Sequence, residues 1–508
     1  MKTVPYVDPK LLWQSRPHEF NEWRAANDLP LLFTFFLEKL PAFQEWLEVH
    51  ELDIPLLCRV TPSGDLFIGH HQKILIEQES EDKKHKVVTC FNLDASETIE
   101  EWKTRNGTVT ILGRFEPYFA WAKRTLGKKR FFYSNIANKQ LTDTIYYNSW
   151  SAFNQPHLSR ASMLTDFQVL KLGGIELGES VEIGPRNLDF SDLDHLTISG
   201  DWHGSCQTNI SFSSCQYWHL KNTVLNFIRF YRCHLKGFHC EKSRLQDIYF
   251  ESSNIGECSF TDTYAYRLTF ERSSIRPDLA HCELRQLKFI PDTEFGYAGI
   301  AETYRRFRSA FQERGQRHEA SETYYNERIF ERKEYFSPYI SHRDQFPRMH
   351  YAGRLVDIIN QWERGTFSLR KSLRSVFQLL TFHILKWIHP KYFINTIKFK
   401  AKWFASFIDW AIWGYGERPV RIFSNSILAI TAYSIIYFTQ MQDLKPPSGE
   451  LLTYWDCLYF SMITFSTLGY GDILPATTAM KLLCGSEAIV GAFTMGLFVA
   501  GFANRNRY

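Results

Sequence analysis

Near the C-terminus the chain reads Thr467-Leu468-Gly469-Tyr470-Gly471-Asp472. What flanks these residues decides how they are read. Ile422–Gln442 is an uncharged run of 21 residues, and Leu482–Asn504 is a run of 23 whose one charge is Glu487. Each is long enough to cross a bilayer as a helix. Between them, Cys457–Gly471 is uncharged for only 15 residues. That is too short to span, and it ends in the Gly-Tyr-Gly segment. The order is therefore spanning helix, re-entrant half-helix, irregular segment, spanning helix.

This layout, with that six-residue segment, resembles the two-helix pore domain shared by potassium channels and their prokaryotic relatives. The resemblance covers residues 421–508. It implies a selectivity filter in which backbone carbonyls from four copies replace the water ligands of a cation. The donors would be the carbonyls of Thr467, Leu468, Gly469 and Tyr470, with the Thr467 hydroxyl. Gly469 and Gly471 suit backbone angles that a Cβ resists. Leu468 stands where Val or Ile is commoner, and its side chain is expected to point away from the ion path. Tyr470 is expected to wedge against the pore helix, and Asp472 to concentrate cations at the outer mouth. One filter segment per chain implies a homotetramer around an axis. Potassium ions would be the permeant ligand; no other cofactor or metal is expected.

A second, similar segment, Gly414-Tyr415-Gly416-Glu417, follows Trp413 and has no spanning run upstream, since Lys398, Lys400 and Lys402 interrupt that region. It is read as a turn. In the inner helix, Gly491 lies where the resembled family often bends, and Gly496 and Gly501 follow. Gly491 and Gly496 are hinge candidates, because glycine weakens a helix; close helix packing is the equally good alternative. Glu487 is a carboxylate inside a membrane segment, which is costly unless paired or used. It either raises cation occupancy in the cavity or acts as a hydrogen-bonded strut behind the pore helix, with preference for the strut. Arg418 and Arg421 precede the first span, and Arg505 and Arg507 follow the second. Positive residues stay in the cytoplasm. Both termini are thus expected there, with these arginines as interface anchors.

The chain has 508 residues, room for three or four units. Met1–Lys10 lacks the apolar core of a signal peptide. The ten cysteines form no CxxC pair, so reduced thiols are expected in a cytoplasmic body. Control of the pore is expected from the N-terminal side, because the chain stops four residues after Asn504. No arginine ladder marks an apolar helix, and Arg364, Arg370, Lys371 and Arg374 sit in a polar stretch. No motif supports an enzyme.

The middle of the chain repeats every five residues. Ile210, Cys215, Leu220, Leu225, Phe230, Leu235, Cys240, Leu245, Phe250, Ile255, Phe260, Ala265, Phe270 and Ile275 keep one register, and Leu188, Leu193 and Ile198 form an earlier, offset run. Two positions before each centre the residue is often small, as at Ser213, Thr223, Ser243, Ser253 and Ser273. Neither helix nor strand has a period of five, and a short fixed repeat means a solenoid. The pattern resembles the pentapeptide-repeat family, a right-handed quadrilateral β-helix, here of four to five coils and roughly 20 Å long. Leu188–Ala280 carries 11 acidic and nine basic residues. That balance argues against the DNA mimicry known in this family, and no nucleic-acid partner is expected. Its cysteines and histidines lack zinc-ligand spacing. A rigid spacer or oligomer contact is the reading.

Ala298–Phe336 reads as two helices broken near Gly315, with Tyr304, Phe307 and Phe311 on one face and Ala320, Tyr324 and Ile329 continuing a stripe. It resembles a single tetratricopeptide-type helix pair, expected to cap the solenoid or dock on a neighbour. Ser337–Arg421 holds 14 basic and five acidic residues, a net +9. Aromatic and aliphatic groups such as Phe377, Leu380, Trp387, Trp403, Phe404, Phe407 and Ile408 lie among them. Such segments read as interfacial helices on an anionic leaflet. They would anchor the protein, pull on the first span, or both. Residues 1–170 carry no recognised family motif. Phe20–His50 is expected to be helical, broken at Pro30 and Pro41, followed by strands at Leu56–Val60, Leu66–Gly69, Ile74–Ile76, Val87–Phe91 and Thr108–Leu112. Ser63-Gly64-Asp65 would be a hairpin turn, and Lys123–Arg130 a solvated basic hairpin.

The expected architecture is a multidomain membrane protein. Its parts are an N-terminal α+β domain (1–170), a pentapeptide β-helix (180–285), a helix pair (296–336), a basic amphipathic linker (337–420) and a two-helix pore domain (421–508). The expected function is a homotetrameric potassium-selective channel of a cell inner membrane, gated or assembled through its cytoplasmic parts, with an unidentified cytoplasmic ligand as a possible input. The alternatives are a less selective cation channel acting as a stress or toxic effector, and a membrane-anchored interaction scaffold.

Overall fold

The computed structural model describes residues 5–39, 42–50, 52–58, 60, four strands between 73 and 111, 170–178, 186–200, 208–211, 213–231, 233–291, 296–339, 341–347, 369–446 and 452–505. The expected features at Pro41, Ser63–Gly69, Lys123–Arg130, Arg364 and Arg507 lie outside these residues. The chain forms two compact units: Met1–Phe295 with Arg348–Ile384, and Gly296–Pro347 with Leu385–Tyr508.

In the first unit the five-residue step becomes a coil of 20 residues. Leu220 pairs with Cys240, and Cys240 with Phe260. On another face Ile210, Phe230, Phe250 and Phe270 stack in the same way. The phenylalanine rings lie nearly parallel, with centroids 5.0 and 5.1 Å apart. Identical side chains meet because parallel strands in register put each residue over its counterpart one coil away. The small residues have an equally direct role. The Cys233 amide donates to Ser253 Oγ at 3.0 Å, and the Ser253 amide to Ser273 Oγ at 3.0 Å. Ser253 Oγ and Ser273 Oγ in turn donate to the carbonyls of Phe230 and Phe250. A larger side chain would fill the corner and leave these buried amides unpaired. Among the described residues the chain turns two residues after most centres. Tyr217, Asn222, Phe227, Lys242, Asp247, Ser252, Asp262, Arg267 and Arg272 all have φ between +48° and +57°. Each such corner costs about 1 kcal/mol or more, and inter-coil hydrogen bonding offsets it.

The paired strands run from Leu170–Lys171 to Lys288–Pro291, beyond the 180–285 read from the sequence. The regular centres end near Phe270: a bulge shortens the last coil, so that Phe260 pairs with Leu279 and Phe270 with Phe289.

Helices Pro9–Gln14, Pro17–Ala26, Asp28–Lys39 and Phe43–Val49 cover the first coil. Trp13 Nε1 donates to the Leu172 carbonyl at 3.0 Å, and Phe36 packs on Phe190 at 5.5 Å. Arg24, fully buried, pairs with Asp28 at 2.7 Å and donates to the carbonyls of Asn187 and Asp189. Beside it, burial pushes the Asp189 carboxyl up to about 7. A solenoid end needs such a cap to keep its open core from water. The helical run breaks at Asn27, just before Pro30, which sits in the first turn of Asp28–Lys39, where its missing N–H costs nothing. One expectation is corrected here. Ile54–Leu57 is a helical turn where a strand from Leu56 was expected. Strands Lys73–Glu79, Lys86–Asn92 and Gly107–Ile111 form near the expected places, joined by an unexpected one, Glu100–Thr104, in a four-stranded sheet.

In the second unit, helices Tyr297–Glu313 and Arg317–Phe336 turn at Gly315, which has φ +67°. Tyr304, Phe307 and Phe311 are buried as expected. On the second helix the buried face is Ala320, Thr323, Glu327, Phe330 and Glu334, rotated from the Tyr324–Ile329 stripe. Buried Glu327 accounts for the shift, because Arg305 and Arg308 reach it at 2.9 and 3.2 Å. The pair docks on helix Pro390–Trp413. Trp403 meets Phe336 at 5.6 Å, Phe399 meets Tyr335 at 6.4 Å, and the Arg332 guanidinium lies 4.3 Å over Trp410.

Candidate functional site: the C-terminal pore segment

Helices Val420–Thr439 and Thr478–Arg505 contain runs long and apolar enough to cross a membrane. Between them Tyr454–Phe465 forms a short helix, the re-entrant element expected from the 15-residue run. Its start is set by a capping box: the Thr453 amide donates to Asp456 Oδ2 at 2.7 Å, and the Asp456 amide to Thr453 Oγ1 at 3.4 Å. Tyr437, Cys457, Phe460, Ile463, Ile473 and Met480 form one core among the three helices.

The segment after the short helix leaves helical geometry at once. Leu468 and Gly469 donate their amides back to the Ile463 carbonyl at 2.9 and 3.3 Å. Thr467, Gly469 and Gly471 have φ of +56°, +51° and +77°, a positive value at every second residue. In an extended strand successive carbonyls point to opposite sides; alternating the sign of φ turns them toward one side. A brace holds the far end: Leu444–Lys445 pairs antiparallel with Leu474–Pro475, and the Ala476 amide donates to the Asp443 carbonyl at 2.8 Å.

Leu468 is 61% and Tyr470 69% exposed in the single chain. The wedge expected of Tyr470 against its own pore helix is therefore not made within one chain. Tyr459 of that helix instead lies within electrostatic range of Asp472, a proximity of helix and segment that sequence reading missed. A tyrosine 13 positions upstream carries no local signal for it.

Glu487 is fully buried. Tyr437 OH donates to it at 2.6 Å and Ser461 Oγ donates to its other oxygen. Each donor belongs to a different helix, so the carboxylate ties all three together. Gly491 lies against the end of the short helix: a Cβ built there would meet the Phe465 carbonyl oxygen at 1.8 Å. Gly496 has nothing within 4 Å of its built Cβ. The two hinge candidates thus differ, Gly491 permitting close packing and Gly496 lying open.

The second Gly-Tyr-Gly segment is an elbow. Gly414, Tyr415 and Gly416 have φ of +62°, +61° and +84°, and Gly414 ends helix Pro390–Trp413. Tyr415 is buried with its hydroxyl 3.2 Å from Ser406 Oγ. Arg418 and Arg421, just beyond, do not stand alone. Arg418 makes a two-pronged contact to Glu322 at 2.7 Å on each prong, and Arg421 donates to the Trp410 carbonyl and Tyr325 OH at 2.9 Å. Arg505 ends the inner helix.

Comparison with known proteins agrees with this geometry. Residues 426–507 match the family described as "Ion channel". Over 92 residues the chain is 41% identical to two pore potassium channel b of Oryza sativa subsp. japonica, covering 18% of this chain and 26% of that protein. Over 79 residues it is 30% identical to two pore potassium channel c of the same plant, covering 15% and 17%. The chain thus spans about a quarter or less of these relatives. The C-terminal segment is an ion-channel pore domain, and the protein is a multidomain membrane protein that joins it to a pentapeptide-type β-solenoid.

Replacing Gly491 with Ala forces the inner and short helices apart. It is expected to cost about 1–3 kcal/mol by overpacking. Gly496→Ala is expected to be neutral or stabilising by about 0.5–1 kcal/mol. Unfolding midpoints of the two variants in detergent check the contrast.

Proposed function

We propose that four copies of this chain form a potassium-selective channel of a cell inner membrane, conducting passively through Thr467–Gly471. The observation that carries the reading is the alternation of φ sign at Thr467, Gly469 and Gly471, between two spanning helices and directly after a short helix. Carbonyls turned to one side, repeated fourfold, supply the oxygen cage that a dehydrated cation needs. The exposed Leu468 and Tyr470 side chains support an assembly in which neighbouring chains cover them. Asp472 adds negative charge at the outer end. Glu487, held by two hydroxyls from neighbouring helices, acts as a strut. With Arg418, Arg421, Arg505 and Arg507 at the cytoplasmic face, both termini are cytoplasmic.

Thallium flux into liposomes carrying the full-length protein tests this. Flux in the wild type, lost in Gly469→Asp, is expected; equal flux in both, or none in either, contradicts it.

The basic segment before the first span adds a lipid contact. On helix Pro390–Trp413, Ile394, Ile397, Phe404 and Ile408 are exposed, spaced three, seven and four apart on the arc facing away from the docked Phe399, Trp403 and Trp410. Lys391, Lys398 and Lys402 edge this arc on one side. An apolar stripe edged by lysines, six residues before a spanning helix, fits the surface of an anionic leaflet. Nitroxide-labelled lipid is expected to quench a fluorophore on Phe404→Cys strongly and one on Arg314→Cys weakly; equal quenching contradicts the contact.

A further inference from the structure

We infer that the Glu322–Arg418 ion pair is the positioning contact through which the cytoplasmic helix pair sets the cytoplasmic end of the inner helix, and so how often the pore is open. The inference rests on the pore reading above.

The contact joins residues 96 positions apart. Both guanidinium prongs of Arg418 reach Glu322 at 2.7 Å. A forked pair of this kind fixes orientation as well as distance. The same helix, Arg317–Phe336, grips the elbow at further points. Ser321 donates to Glu417, Trp410 Nε1 donates to Tyr325 OH at 3.1 Å, and the Arg418 guanidinium lies 4.8 Å over the Tyr325 ring. The first turn of the outer helix is thereby held from the side of the helix pair.

The other side of that turn faces the inner helix. A Cβ built on Gly501 would lie 3.6 Å from Ile422 Cδ1 and 3.8 Å from Pro419 Cβ, ordinary contact distances. Gly501 and Ile422 are both buried there. Arg418 and Pro419 are consecutive, so a shift of the helix pair either breaks the ion pair or carries Pro419 along the inner helix. In the proposed tetramer that end of the inner helix borders the cytoplasmic mouth of the ion path.

The pair is suited to switching rather than to holding the fold. Each partner's side chain is 38% exposed, and such pairs add little to stability. A cavity of about 420 Å³ lies beside it, lined in part by Arg317, His318, Glu417 and Arg421, so the contact opens without unpacking a core. Hydrogen bonds from Arg418 hold the Glu322 carboxyl below its usual range, keeping the pair charged.

Two readouts on the full-length protein in liposomes test the inference. The first is open probability in planar bilayers for Glu322→Arg, Arg418→Glu and the double exchange. Each single change is expected to shift the open-to-closed ratio by about fivefold or more, with unitary conductance and ion selectivity unchanged. The double exchange is expected to return the ratio toward wild type. Glu322→Gln, which keeps the shape and loses the charge, should shift it in the same direction by less. Unchanged ratios in the single variants, or no rescue, overturn the inference. The second readout needs no current. Cysteines placed at Pro419 and Gly501 fall within disulfide reach, since the 3.8 Å separation matches the usual Cβ spacing. Their cross-linking rate is expected to change about fivefold when Glu322→Arg is added. An unchanged rate overturns the coupling. A changed rate in a protein that carries no current upholds the coupling and removes the pore reading instead.

Discussion

A carboxylate inside a bilayer has to be satisfied by protein, and Glu487 shows what that demand builds. Tyr437 of the outer helix and Ser461 of the pore helix both donate to it from neighbouring elements. Removing one partner of such a buried, charge-assisted contact is far costlier than the contact is favourable. The three helices are therefore held in one relative position, and Gly491 against the Phe465 carbonyl fixes how closely they approach. That position puts the end of the pore helix, and hence the alternating backbone of Thr467–Gly471, between the two spans. The short strand pair of Leu444–Lys445 with Leu474–Pro475 braces the far end of that segment. Each feature of the candidate filter depends on this fixed frame.

The solenoid solves a different problem with the same economy. Among the described residues, nine non-glycine corners from Tyr217 to Arg272 stand at positive φ, a conformation that most side chains avoid. The corners persist because every coil repeats the last, so that main-chain hydrogen bonds, serine and cysteine corner contacts and stacked phenylalanines recur at each step. Helices from Pro9 to Val49 then cover one end, with buried Arg24, paired to Asp28, donating into the first coil. The result is a body of fixed shape, suited to spacing or to contact between copies.

How much of this could be read from the sequence follows from the range of each signal. The spans, the re-entrant helix and the five-residue register were legible, because length, absence of charge and periodicity are local properties. The small residue two before each centre was legible as a pattern, while its reason, a hydrogen bond one coil away, required the 20-residue pairing. The helix face carrying Glu327 was misread because a buried glutamate looks like a surface residue until Arg305 and Arg308 are placed beside it. Strand Glu100–Thr104 was missed because Glu-Glu-Trp-Lys-Thr has neither apolar alternation nor a β-branched run. The contact that bears most on control, Glu322 with Arg418, joins side chains whose separation in sequence has no period. Arg418, read as a membrane-interface anchor, also pairs with Glu322, a partner that only tertiary structure reveals.

The proposed oxygen cage of Thr467–Gly471 would select potassium. The most direct test is the reversal potential of the full-length protein in a planar bilayer, with potassium on one side and sodium on the other. A potassium-selective cage gives a value near the potassium equilibrium potential. A value near zero would contradict it, showing a cation pore without selectivity.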